Sequence, residues 1–394
     1  MDPVGRCSHR HHTEMQRSFE QPQAAYAHVP FCSHRCGYCN FTVVSNRDDL
    51  VEDYLRAIEI ELSWLRVPQP VHTLYVGGGT PTHLPPEPLA RFLQLLQKWF
   101  PVCDNHEFSV EANPIDITPD KVSVLRAAKV NRVSLGAQSF HPGKLMALER
   151  EHTPDDIVRA VECLRPAIPN LSLDLIFAAP HETLADWERD LDTALTLNVQ
   201  HLSTYGLTFE RGTTFWGRLL RRQLLPVAEE EQRLMYVETM NRLRANDWDH
   251  YEVSNFARHG FRCRHNEVYW TGQSYHAVGP GAARFVHGQR QVNHRSTTTY
   301  LHRVLAGLSP VAESEELAPA DLAREQLVFG MRRLQGVDIQ AFAQVSGFTV
   351  ESLAGPAVRK FVDLGLLEFH EGHLRLTTEG LLVSDAIWPE FLHV

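Results

Sequence analysis

The chain has 394 residues, 43% of them hydrophobic, and a formal net charge of −10. That length and apolar content suffice for one large buried core plus a smaller domain, and the acidic balance gives no support to a nucleic-acid partner, whose phosphates call for a basic surface. Seven cysteines, an odd number, argue against a disulfide framework and for metal binding wherever they cluster.

Met1 to Gln23 lacks the apolar core of a signal peptide, and no apolar run approaches the roughly 20 residues a membrane-spanning helix needs. A cytoplasmic location is the expectation. Residues 1–23 read as a polar, disordered tail. Its segment Arg6 to His12, RCSHRHH, is rich enough in histidine to suggest a metal site, but it has no periodicity, and Met15 offers an alternative start.

From Ala25 to about Asn255, short apolar runs alternate with longer amphipathic stretches. Strands are predicted at Ala25 to Phe31, Thr73 to Val76, Glu107 to Glu111, Arg132 to Gly136, Leu171 to Phe177, His201 to Leu207 and His250 to Ser254. Helical spacing falls at Leu50 to Leu65, Glu87 to Phe100, Pro119 to Ala128, Pro154 to Leu164, Leu184 to Leu197 and Glu229 to Asn246. This order predicts an α/β fold with a parallel sheet over 24–257, either an open doubly wound sheet or a full or partial barrel. Cys32, Gly77 to Thr80, Glu111, Gln138 and Asp174 all lie at or near predicted strand ends, so five strands aim polar groups at one rim.

The first strand runs into HVPFCSHRCGYCNF, His28 to Phe41, which places Cys32, Cys36 and Cys39 at C-x3-C-x2-C spacing. Structural zinc ordinarily takes four protein ligands. Cys103, Cys163 and Cys263 are isolated in the sequence, leaving His28 or His34 to complete such a shell. Three thiolates on one short loop suit a 4Fe-4S cluster instead, with one iron open to an exogenous ligand. In YVGGGTPT, Tyr75 to Thr82, three glycines let backbone N–H groups approach an anionic or zwitterionic ligand. Glu111 in SVEANP closes a strand, where a carboxylate without a partner is costly to bury. Gln138 in LGAQSF, Arg150 in ALEREHT and Asp174 in LSLDLIF add polar groups, Asp174 inside an apolar strand.

After Phe256 the pattern lapses into a connector over 258–310, long enough to be functional, with tyrosine and tryptophan content that argues against disorder. Its HNEVYW segment carries His265, Asn266, Tyr269 and Trp270. A neutral imidazole is a natural axial ligand for heme iron, and the aromatics can pack on a porphyrin face. The alternative is a hydrogen-bonded loop histidine whose aromatic neighbours simply cover the barrel. Over 311–394, three helical patterns precede GLLEFHEGHLRLT, a hairpin with its turn at His370 to Gly372, which suggests a winged-helix-like module. With 6 Lys and Arg against 13 Asp and Glu, it reads as a packing or lid module, not a DNA reader.

The cysteine motif, with Tyr38 just before its last cysteine, resembles that of the radical S-adenosylmethionine (radical SAM) superfamily. The resemblance implies that Cys32, Cys36 and Cys39 hold a 4Fe-4S cluster whose open iron is chelated by the methionine amine and carboxylate of SAM. An electron from the cluster then cleaves the sulfonium to a 5′-deoxyadenosyl radical. It implies cofactor contacts from Tyr26, Gly78, Gly79, Thr80, Glu111, Gln138, Arg150 and Asp174. From Tyr26 to the C-terminus the chain is similar to proteins like oxygen-independent coproporphyrinogen III oxidase. Those oxidases carry a fourth cysteine two positions after the third, where this chain has Phe41. The HemW family of heme chaperones has phenylalanine there and a motif like HNEVYW, preceded here by YEVSNFA. The resemblance therefore implies heme at His265, Asn266, Tyr269 and Trp270, and delivery to recipient apo-hemoproteins. Peripheral membrane contact through a recipient and a homodimer stay open. The rival is a radical enzyme, a coproporphyrinogen dehydrogenase or another tetrapyrrole-modifying activity, and a degenerate barrel that does not use SAM is a third reading. No catalytic residue is assigned. Three departures stand out: Ala178-Ala179-Pro180 for Gly-Leu-Pro, Glu149 where glycine commonly precedes Arg150, and Ala283 where histidine is frequent.

Overall fold

The computed structural model describes residues 21–392. Most of the expected N-terminal tail, with Arg6 to His12 and Met15, therefore lies outside the described residues.

The predicted alternation is present. Strand β1 (Ala24–Val29) leads into a loop that holds the two-residue strands β2 (Phe31–Cys32) and β3 (Val44–Ser45). Then follow α1 (Val51–Ser63), β4 (Val71–Gly78), α2 (Pro86–Trp99), β5 (Val102–Ala112), α3 (Pro119–Ala127) and β6 (Arg132–Gln138). Helices α4 (Pro142–Ala147) and α5 (Pro154–Leu164) precede β7 (Asn170–Phe177), α6 (Leu184–Thr196) and β8 (His201–Gly206). Six strands, β1, β4, β5, β6, β7 and β8, lie side by side in that order and parallel. Helix starts are set locally: Thr153 with Asp156 and Thr183 with Asp186 form capping boxes, and proline opens α2, α3 and α5.

Two expectations change at the edges. After α7 (Thr214–Leu220) and α8 (Glu229–Ala245), the strand expected over His250 to Ser254 is split into β9 (Asp249–Glu252) and β10 (Asn255–Ala257). β10 is antiparallel to both β8 and β9, because a two-residue link permits a hairpin whereas a parallel neighbour needs a crossover. The connector, expected without clear elements, contains α9 (Arg264–Trp270) and β11 (His276–Val278), and β11 adds to the sheet parallel to β1. Beyond it, β12 (Ala283–Val286), β13 (Gln289–Asn293), α10 (Thr297–Leu305) and β14 (Val311–Glu316) follow, the three strands forming a small antiparallel sheet.

The C-terminal module packs α11 (Pro319–Arg332), α12 (Ile339–Ser346) and α13 (Val350–Asp363) against β15 (Val337–Asp338) and the hairpin of β16 (Leu367–His370) and β17 (His373–Leu376). Glu371 and Gly372 form the hairpin turn with positive φ, as a two-residue turn between twisted strands requires. The module is winged-helix-like, and buried Glu252 of β9 ties it to the sheet by accepting from Arg332 of α11 at 2.9 and 2.6 Å.

The parallel strands do not read alike on their two faces. Leu74, Val76, Phe108, Val110, Val133, Leu135, Leu171, Leu173 and Leu202 are buried with α1, α2, α5 and α6 side chains in one apolar cluster, the layer that drives folding at about 25 cal/mol per Å² buried. The alternate residues, Thr73, Tyr75, Glu107, Ser109, Glu111, Arg132, Ser134, Ser172, Asp174, His201 and Ser203, face the opposite side, and register aligns them across neighbouring strands. The sheet thus wraps a polar interior, and the ends of its strands form the rim on which the site stands.

Candidate functional site

The cysteine loop leaves β1 at the C-terminal end of the sheet and is stitched down by backbone bonds. Gly79 and Thr80 donate to Val29 and Phe31 carbonyls at 2.7 Å, and Val44 donates to Pro30 at 2.8 Å. Gly78 has φ of +115°, and a Cβ there would lie 2.5 Å from the His28 ring; a Cβ on Gly79 would stand 3.0 Å from Cys32 Sγ. Glycine is needed at both places so that the loop can approach the thiols.

A cavity of about 740 Å³ opens here. Cys32, Cys36 and Cys39 line it together with Gly78, Gly79, Thr80, Glu111, Gln138, Arg150 and Asp174. Thr80 Oγ1 is 3.4 Å from Cys32 Sγ, and Arg150 donates to Cys36 Sγ at 3.5 Å. Glu111 accepts from Tyr75 Oη at 2.8 Å and from Gly78 N at 2.9 Å. Burial outweighs these bonds and raises its carboxyl to about 7. Asp174 accepts from Ser134 Oγ at 3.0 Å and is likewise raised by burial, to about 6.

Gln138 sits in the left-handed region at φ 56°, the side chain of a buried residue whose Oε1 has no protein partner. Arg150 Nε is also buried without one. Orphaned polar atoms of this kind call for an explanation, and a ligand in the cavity supplies it. A glycine cradle, three thiols on one loop and unpaired polar atoms fit an iron-sulfur cluster with a zwitterionic nucleoside ligand. When bound, such a cluster would supply one electron to that ligand.

Other expected residues stand elsewhere. Tyr26 does not line the cavity: it is one layer deeper, where its hydroxyl meets His28 Nδ1 at 3.0 Å. His28 Nε2 is taken by the Thr42 carbonyl at 2.7 Å, so both of its ring nitrogens are engaged and neither is free for a zinc ion. His34 lines the cavity mouth. The HNEVYW residues lie outside the cavity altogether. His265 is 1% exposed, with Nδ1 at 2.9 Å from Thr73 Oγ1 and Nε2 at 2.8 Å from Tyr269 Oη. Both ring nitrogens are engaged within the protein. Trp270 is packed on Tyr251 and Tyr269 on Tyr275, and Asn266 shares the same short helix.

The departures at Glu149 and Ala178 acquire a physical meaning. Both residues have positive φ, 56° and 62°, where a side chain costs roughly 1–2 kcal/mol that glycine avoids. Glu149 offsets the strain by pairing with Arg218 at 2.8 Å; nothing comparable assists Ala178.

Residues that the sequence reading passed over include Arg295 and Tyr205, which line the cavity, and Glu107 and Arg132 beneath it. The signal for Glu107, Arg132 and Tyr205 is the polar half of the strict alternation in EFSVEA, RVSLGAQ and HLSTYG; Arg295 lies in no such pattern.

A family description, Radical SAM superfamily, matches residues 26–194, and another, HemN C-terminal domain, matches 317–383. A curated heme chaperone HemW from Bacillus subtilis is 32% identical over 375 residues, covering 94% of this chain and 99% of that protein. This chain belongs to the HemW family. A HemW from Mycobacterium tuberculosis is 35% identical over 93% of this chain and 94% of its own. A Danio rerio relative, radical S-adenosyl methionine domain-containing protein 1, mitochondrial, is 30% identical over 93% and 86%. The solved coproporphyrinogen III oxidase HemN of Escherichia coli superposes with a TM-score of 0.84 over 96% of this chain and 91% of that one, at 21% identity. That likeness establishes a shared fold.

Burial depresses several histidines of this HemW-family chain: His28, His152, His250 and His276 to about 4 and His265 to about 3. An unfolded chain protonates histidine near pH 6.5, so below that value it binds protons the folded chain refuses. Stability contributed by these five falls as pH drops through the window between 6.5 and the folded values. Glu111 and Asp174, raised by burial, act in the opposite sense as pH falls from about 7. Burial lowers His201 as well, and it raises Glu61, Asp116, Glu182 and Glu267, which act with Glu111 and Asp174.

Proposed function

We propose that this protein is a heme chaperone on a radical SAM platform, holding a 4Fe-4S cluster on Cys32, Cys36 and Cys39 and SAM against the cavity wall, and passing heme to apo-hemoproteins. The observation that carries this reading is Phe41. It stands where the related oxidases carry a fourth cysteine, lines the cavity and is 65% exposed, so an aromatic ring rather than a thiol meets whatever approaches the rim. The near-full-length similarity to proteins named heme chaperone supports the same reading.

The chain's own residues divide the work by geometry. The glycine loop and Glu111 receive the polar end of SAM, Asp174 the ribose, and Arg150 offers positive charge beside Cys36, where thiolate density collects. The cytoplasm is the proposed compartment, in keeping with Cys32, Cys36 and Cys39, none of which is in a disulfide, and with the presence of no helix, among the described residues, long and apolar enough to cross a membrane.

Heme titration of the anaerobically reconstituted protein tests the proposal. A saturable Soret change at one heme per chain, followed by its loss on adding an apo-hemoprotein, is the expected result. The rival is an enzyme of the coproporphyrinogen III oxidase type, suggested by the shared fold. Catalytic formation of protoporphyrinogen from coproporphyrinogen III with SAM and reductant, without saturable heme uptake, would replace the chaperone reading with it.

A further inference from the structure

The interior beneath the cavity is built around one aromatic stack. The Tyr75 ring is held between Tyr26, at 6.1 Å between centroids, and His265, at 5.0 Å, each inclined by 25°. From this sandwich Tyr75 Oη donates to Glu111 Oε1 at 2.8 Å, while Gly78 N donates to Oε2 at 2.9 Å. Both carboxylate oxygens are therefore fixed from below and from the glycine loop.

His265 is itself anchored on every side. Its backbone N donates to Glu107 Oε1 at 2.9 Å, and its ring bonds Thr73 and Tyr269. Glu107 also accepts from Cys263 Sγ and Arg264 N, and lies 3.6 Å from Arg132 Nη1. Arg132 reaches the Phe261 carbonyl at 2.9 Å, and Tyr251 Oη joins His201 to Cys263 N. Four strands, β4, β5, β6 and β8, thus converge on residues 261–265.

We propose that Tyr75 is a positioning residue for Glu111, and that the HNEVYW segment is a wedge in the polar interior whose His265 sets the Tyr75 ring and so the SAM-facing wall. This inference rests on the SAM reading above. It gives the segment a duty toward the cofactor that requires no heme ligand from it. A phenol bond to a buried carboxylate is worth more than one between neutral groups, and both rings lose freedom to turn when stacked on two neighbours.

The consequence is specific. Tyr75→Phe keeps the ring and the stack and removes only the hydroxyl, so the affinity of the reconstituted cluster for SAM, read from the change SAM produces in its electron paramagnetic resonance spectrum, should fall about tenfold. The Tyr75 bond also lowers the Glu111 carboxyl, against burial and the nearby Asp174; Tyr26, Tyr205 and Tyr269 face the same group. Losing that bond should move the midpoint of the pH dependence of SAM affinity upward, a change that loss of packing alone does not produce. His265→Ala should weaken SAM in the same direction and leave the heme stoichiometry at its wild-type value.

An unshifted pH midpoint and SAM affinity within twofold of wild type in Tyr75→Phe would overturn the positioning role while leaving the SAM reading intact. Heme uptake lost in His265→Ala with SAM affinity unchanged would overturn the wedge. A wild-type cluster whose spectrum SAM does not alter overturns the SAM reading itself, and this inference with it.

Discussion

Joint replacement of Cys32, Cys36 and Cys39 by alanine is expected to abolish the visible absorbance and the iron content of the reconstituted protein, from roughly four irons per chain to near zero, without unfolding it. The loop's path does not depend on its thiols. Thr80 and Val44 bond the carbonyls of Phe31 and Pro30, Cys39 N bonds Cys36 O, and Arg295 donates to the Asn40 carbonyl at 2.7 Å. The three side chains are only partly buried, so removing each Sγ exposes little new apolar surface. Circular dichroism like that of the wild type with loss of iron is the expected pair of results. Full iron content in the triple variant would place the cluster elsewhere.

The second large effect concerns stability. Lys144 of α4 is buried between Glu182, at 2.5 Å, and Asp190, at 2.9 Å, with its ammonium 4.9 Å from the centre of the Trp187 ring. Asp190 also accepts from Ser139 Oγ at 2.7 Å and Phe140 N at 2.6 Å, and Glu182 from Ala179 N at 2.8 Å. One cation therefore balances two carboxylates that fasten the segments after Gln138 and Ala178. Lys144→Met retains the bulk and leaves both acids buried without a counter-charge, a loss of about 3–5 kcal/mol. Urea denaturation measures it. Adding Glu182→Gln and Asp190→Asn to Lys144→Met should restore much of the lost stability, because neutral amides remove the uncompensated charge. If Lys144→Met costs less than about 1 kcal/mol, the pair contributes no more than an exposed ion pair would.

The sequence reading found most elements for one reason. Parallel strands and their helices are local patterns, and Pro154–Leu164 is recovered to the residue because Thr153 and Asp156 cap it and the apolar spacing runs unbroken. The region after Phe256 was harder to read. His276–Val278 is three residues long and becomes a strand only through pairing with β1, and the seven residues of α9 are too few to be helical by propensity alone.

Site residues divided in the same way. Cys32, Cys36, Cys39, Gly79, Glu111, Gln138, Arg150 and Asp174 were placeable at one cavity because motif spacing and strand ends fix their position to within one turn of chain. Tyr26 and His265 were not. Whether a side chain at a strand position faces a cavity, or lies one layer beneath it, depends on the depth at which another segment fills the interior. The partners that settle this for His265 are Thr73 and Glu107, 192 and 158 residues away in the chain.

The amino-acid sequence by itself therefore determined the α/β order, the rim that gathers the polar groups, and the three-thiol loop, since each depends on contacts among near neighbours and on period-two or helical spacing. Only the tertiary structure decided that HNEVYW fills the interior beneath the cavity, that β11 extends the sheet, and that Tyr75 bonds Glu111. The physical reason is burial: polar residues inside a curved sheet must find hydrogen-bond partners there, and the partners come from whichever distant segment enters the space.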